Sequence, residues 1–363
     1  MLTISKELST CIRYVNCLAI LMVVGIHSKT VNSISSNIDL NLIIQSFLCN
    51  GVYRVSVPVF FLISGILFFK DVTNGKINYG KKIHSRVSTL LIPYLFYSMT
   101  MFLLFGCAYS LMGWLGFMNS TIESSPFQSV YSKGMGELFN LVILTPIPAQ
   151  LWFLRDLIAL SIVSPVILFL LKNVKVFTPI LLLIWSLGYQ ILPNLGVRPL
   201  ISIDGILFFS LGGLIAIYPS LLSALIPDRK VGLGYFIVWI ATNLLRVAID
   251  PRFDIWDHNS YSIPGIILYK ISTFFGLVGI FFISKFFHSH FLSLISNFSF
   301  SIYLLHLPLC FFIVKLLGFT GVKSFPLALF FIAHIVTIFF STIISIQVQK
   351  KLPFLYKPLS GGR

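Results

Sequence analysis

Long apolar runs, separated by short polar stretches, dominate this chain. A helix needs about 20 mostly apolar residues to cross a bilayer. Ten segments meet or approach that length: 11–28, 51–69, 88–112, 150–171, 177–193, 201–218, 231–249, 263–284, 297–318 and 325–348. The expected fold is therefore all-α: a polytopic membrane protein of about ten transmembrane helices, forming one transmembrane domain over 1–363. The stretch 137–149, which ends in Pro146 and Pro148, reads as a re-entrant or interfacial piece. The first run, Cys11 to Ile26, has no A-x-A-like cleavage site and leads into further spans, so it is expected to be a retained helix with no soluble domain before it. Among the loops on the side away from the N-terminus only 113–149 is long, which places the chemistry within the membrane. No internal repeat of the transporter kind is evident.

Composition sharpens this picture. The chain is 57% hydrophobic and 10% charged, with a mean hydropathy of +0.94, against roughly 25% charged residues in a soluble domain. A disordered or nucleic-acid-binding protein can be equally basic, but it would not carry 36 Phe among apolar runs. Membrane lipids, not nucleic acid, are the expected surroundings. The net charge of +15 is then a topology signal. With the N-terminus inside, the inner segments carry Lys6, Lys70, Lys76, Lys81, Lys82, Arg86, Lys172, Lys175, Arg229, Lys230, Lys285, Lys350, Lys351, Lys357 and Arg363, and the outer ones only Lys29, Lys133, Arg198, Arg252 and Lys323. That excess, roughly three to one, predicts both termini on the cytoplasmic side. The five cysteines are odd in number and have neither CxxC nor metal-ligand spacing, so they read as packing residues, and no metal is expected.

A charge at the bilayer centre costs about 2.5–3.5 kcal/mol even on a lenient scale, which makes each polar residue in a span a functional candidate. In the first span Arg13, Asn16 and His27 lie near one face, because Asn16 and His27 are about three turns apart and Arg13 and His27 about four. Taken alone, a membrane His is often only a hydrogen-bonding packing residue. Arg54, Asp204, Arg246 and His334 are further candidates, while Lys270 and Lys315 are expected to snorkel to the interface. Val57–Gly65 combines small residues with a proline, as close helix packing requires. Lys81, Lys82 and Arg86 form a basic loop feeding a helix, readable as a topology signal or as a phosphate-binding mouth. Arg155 beside Asp156 suits an interfacial anchor, and His306, in a span that also bears Ser and Tyr, suits a helix-to-helix hydrogen bonder.

In this order the segments Ala19–His27, Val57–Gly65, Arg86 with Pro93-Tyr94, Leu151–Leu157 and Ser299–Pro308 resemble the membrane acyltransferase-3 family, the integral-membrane enzymes that O-acetylate bacterial surface polysaccharides. The resemblance covers most of the chain. It implies that His27 is essential for acyl transfer and that Arg86, with Lys81 and Lys82, helps to bind acyl-CoA. His306 matches the late-helix His of the family. The family Arg eleven residues before the first His falls here on Asn16, a departure, and Arg13, one turn earlier on nearly the same face, is the candidate replacement. The implied donor is cytoplasmic acetyl-CoA, the implied acceptor a carbohydrate hydroxyl, free or lipid-linked, as in O-antigen, and the implied location the bacterial inner membrane. His27 would serve as general base or transient acyl carrier. Asp204, or Asp156 beside Arg155, would orient the imidazole or bind sugar hydroxyls. Two other classes compete: a transporter or flippase of a lipid-linked sugar, and a glycan polymerase or ligase, which would be expected to need a larger outer loop than 113–149.

Overall fold

A computed structural model describes residues 5–31, 37–72, 78–114, 134–194, 201–255, 262–287 and 289–362. Lys76, Lys133, Arg198 and Arg363 of the charge comparison lie outside them, as does much of 113–149. The helices are α1 (Lys6–His27), α2 (Leu40–Cys49), α3 (Ser56–Phe69), α4 (Tyr79–Arg86), α5 (Ile92–Trp114), α6 (Met135–Phe139), α7 (Trp152–Asn173) and α8 (Phe177–Asn194). They continue with α9 (Ile203–Ile217), α10 (Leu222–Leu225), α11 (Arg229–Ile249), α12 (Ile263–Ser284), α13 (His290–Asn297), α14 (Ser299–Gly318), α15 (Pro326–Lys351) and α16 (Pro353–Ser360). No strand occurs among the described residues.

Every one of the ten expected segments is helical. Among the described residues eight helical stretches are long and apolar enough to cross a membrane, one of them running from Leu40 to Phe69 through α2, a 3-10 turn at Val52–Val55 and α3. The span expected at 51–69 thus begins earlier. Helix α9 reaches the required length only together with Pro219–Leu225, across a bend of 112°. Helix α8 is apolar over Phe177–Leu187.

The chain divides into two compact units, 1–78 with 163–345 and 79–162 with 346–363. In the first unit α1 packs against α2, α3, α12, α13 and α14. It starts where the Ser5 hydroxyl accepts the Leu8 N–H at 3.1 Å, and Glu7 in its first turn favours the positive end of the helix dipole. Leu8, Ile12, Val15, Ala19 and Val23, three or four apart, are buried along it. Helices α3 and α9 cross with Gly65 against the backbone of Phe209 and Gly212 against the backbone of Leu62, where a Cβ on either glycine would collide. Lipid gives two apolar helices no hydrophobic reason to associate, so such close backbone contact supplies the attraction. Helices α11 and α12 pair differently, with Gly276 and Gly279 making room for the buried Trp239 ring.

In the second unit α4 leads through a π turn at Val87–Leu91 into α5. The stretch expected to be re-entrant or interfacial takes in the end of α6 and a π turn at Asn140–Leu144, of 5 residues each, too short to span a bilayer. The last carbonyls of such a piece have no partner within it. Side chains supply the partners: Ser98 donates to the Val142 carbonyl at 2.9 Å, Tyr94 to Ile143 at 2.6 Å and Arg155 to Leu144 at 2.7 Å.

Candidate functional site

His27 is the last residue of α1, and its side chain is exposed. Its ring lies 5.1 Å, centroid to centroid, from that of His306 in α14, tilted by 47°. His306 is fully buried. Its Nδ1 stands 2.7 Å from the Tyr303 carbonyl one turn back, and because a carbonyl only accepts, that nitrogen carries the proton. One turn further along α14, on the same face, Cys310 donates to the His27 carbonyl at 3.2 Å. The backbone N–H of Ser28 returns to the Val24 carbonyl at 3.0 Å and closes the helix. Gly25 leaves room for the Tyr53 ring against α1. Tyr53 in turn meets His334 of α15 edge-on at 6.1 Å, and His334 donates to the Leu21 carbonyl at 2.8 Å. The late-helix and first-helix histidines are thus brought together.

Just beyond His27 lies a charged cluster. Asp254, between α11 and α12, meets Lys29 at 2.8 Å and Arg54 at 3.2 Å. Arg54 also donates to Asn50 at 3.0 Å, and Asn50 to the Phe253 carbonyl at 2.9 Å. Arg246, fully buried in α11, donates to the Ser46 carbonyl at 2.8 Å. Sequence reasoning singled out Arg54 and Arg246 as intramembrane charges but missed Asp254. The available signal was an acid in the run Asp250-Pro-Arg-Phe-Asp254, in a chain with only 11 acidic residues.

Arg13 lies about two turns into α1 and Asn16 at the middle of the helix. With Ser9, Lys70, Ser296 and Ser299 they line a cavity of about 350 Å³ that has, among the described residues, two cations and no carboxylate on its walls. Arg13 and His27 are 14 residues apart, about 21 Å along the helix axis. The three polar residues of the first span therefore serve two places, not one.

Asp204, in the first turn of α9, accepts the Trp185 indole N–H at 2.9 Å. Lys270 donates to the Trp185 carbonyl at 2.7 Å and sits 3.8 Å above the Trp185 ring. The snorkelling expected for Lys270 is therefore replaced by burial: a backbone carbonyl and an aromatic face receive the ammonium inside the fold. Lys315 is exposed in the last turn of α14. In the second unit, Arg155 pairs with the buried Asp156 at 3.0 Å while holding Leu144, so both stabilise the π turn at Asn140–Leu144. Lys81, exposed, and Lys82 and Arg86, half-buried, belong to α4.

A buried imidazole of fixed tautomer against an exposed one, at a helix end, is an arrangement suited to proton transfer. A protein of Rhizobium meliloti (strain 1021), the succinoglycan biosynthesis protein ExoH, is 26% identical over 330 residues, covering 88% of this chain and 82% of its own length. No solved structure matches. The family model described as an acyltransferase domain matches residues 10–346, a range that contains both histidines, Arg13 and the basic helix α4. This chain belongs to the acyltransferase-3 family.

Proposed function

We propose that this protein is a membrane O-acyltransferase of the bacterial inner membrane that moves an acetyl group from cytoplasmic acetyl-CoA to a sugar hydroxyl of a cell-surface polysaccharide, such as O-antigen, free or lipid-linked. The observation that carries the reading is the pairing of His27 with His306 at the end of α1. Family membership supports acyl transfer, and the name of the Rhizobium relative supports a polysaccharide acceptor.

In the direct route His27 takes the proton of the acceptor hydroxyl as its oxygen attacks the acyl carbon. The carbon–sulfur bond then breaks, and the departing thiolate recovers that proton from His27. In the alternative route the imidazole carries the acyl group between donor and acceptor, and both routes need an unprotonated ring nitrogen on the exposed side. Lys81, Lys82 and Arg86 on α4 are assigned to the phosphates of CoA. Arg13 and Asn16 are assigned to substrate in the cavity along the first half of α1, and Asp204 to holding Trp185 and α8 beside Lys270.

Mass spectrometry of envelope polysaccharide tests this reading in cells that lack the protein and are complemented with the wild-type chain or with His27→Ala. The expected result is an acetyl increment with wild type only, at equal membrane levels of both chains. An envelope with no acyl difference, or full restoration by His27→Ala, overturns the proposal and favours transport of a lipid-linked sugar.

A further inference from the structure

We propose that His306 is a positioning residue for His27: its buried Nε2 lone pair accepts an N–H of the His27 ring and so fixes which His27 nitrogen remains free to take the acceptor proton. The inference rests on the acyl-transfer reading above and gives a role to a residue that the resemblance leaves open.

Three observations carry it. First, the tautomer of His306 is set locally, since Nδ1 must donate to the Tyr303 carbonyl at 2.7 Å and the neutral ring then bears its lone pair on Nε2. Second, that Nε2 is buried without a hydrogen-bond partner among the described residues. Buried polar atoms are normally satisfied, and an orphan calls for an explanation. Third, the His27 ring is in contact at 5.1 Å between centroids, and Cys310 ties the His27 carbonyl to the same face of α14 at 3.2 Å. Rotation of the exposed His27 ring is the movement the proposal requires to bring one of its nitrogens to Nε2. Its other nitrogen then faces outward with a lone pair, the division of labour between base and orienter seen wherever a third group aligns a catalytic base. A histidine kept only for packing would use Nδ1 and leave Nε2 unsatisfied at a cost.

The two nitrogens of His306 can be tested separately. An asparagine amide reaches the Nδ1 position and can still donate to Tyr303, whereas a glutamine amide reaches the Nε2 position and can still accept from His27. Membrane vesicles containing full-length protein and envelope polysaccharide, supplied with radiolabelled acetyl-CoA, give the initial rate of acetyl incorporation. His306→Gln is expected to stay within about 10-fold of wild type, and His306→Asn to lose about 100-fold in kcat with KM for acetyl-CoA nearly unchanged. Nitrogen NMR of histidine-labelled protein in nanodiscs supplies a readout independent of activity. In wild type the Nε2 signal of His306 should carry a hydrogen-bond shift that disappears in His27→Ala, a substitution at an exposed side chain.

Equal rates for His306→Asn and His306→Gln, or a His306 Nε2 signal indifferent to His27→Ala, overturn the proposal. If wild-type vesicles incorporate no acetyl while the NMR coupling is present, the positioning contact stands and the acyl-transfer reading is what fails.

Discussion

Side chains around the end of α1 show how far a residue type constrains its role. His27 and His306 are both histidines in apolar helices, yet one is exposed and the other has no accessible surface. Nothing local in the sequence separates them, because the contact joins positions 279 residues apart. The motifs flagged both, but their meeting became visible only in three dimensions. Lys270 makes the same point: a lysine in a span reads as a snorkelling side chain until the Trp185 carbonyl and ring are found against it. Asp254 went unnoticed for the opposite reason, since a loop acid looks like ordinary solvated surface until Lys29 and Arg54 converge on it. Replacing Asp254 with Ala removes two charge-assisted contacts, and a loss of about 2 kcal/mol is expected, readable as a lower melting temperature in detergent. Asp254→Asn should recover part of that loss, because it keeps acceptor capacity for Arg54.

At the scale of elements the sequence was far more legible. Ten apolar runs became ten helices because, in lipid, the backbone must satisfy its own hydrogen bonds and a run of that composition has little alternative. The helix ends were less legible. The path from Leu40 to Phe69 was expected to start at residue 51, since Asn41 and Gln45 interrupt the hydropathy of α2 and Asn50 follows it, although Gln45 and Asn50 are buried. Packing between elements explains the small residues of Val57–Gly65. A valine at Gly65 or Gly212 must force α3 and α9 apart, at a cost of about 1–3 kcal/mol, so either variant should melt earlier. A leucine at the open position Gly234, where nothing lies near the added carbon, should leave the melting temperature almost unchanged. Tyr94 and Arg155 acquire a physical meaning too, as donors to the end of the π turn at Asn140–Leu144. Tyr94→Phe removes one of those bonds, worth about 1 kcal/mol, and should speed amide hydrogen exchange in residues 140–145 more than in α3.

For the whole molecule, the excess of Lys and Arg on alternate loops sets an expectation for orientation that a fusion can check. Green fluorescent protein joined after the C-terminus should fluoresce, and alkaline phosphatase at the same position should be inactive; the reverse pair of results would place that end outside. Helix α1 adds a geometric constraint of its own. It carries Arg13 about two turns from its start and His27 at its end, about 21 Å apart, on a rod whose neighbours are packed along its length. It therefore acts as a ruler. A compact acyl donor such as acetyl phosphate can occupy the Arg13 cavity or approach His27, but it cannot touch both together. Any molecule that does so must hold its charge and its reactive carbon at opposite ends of an extended body.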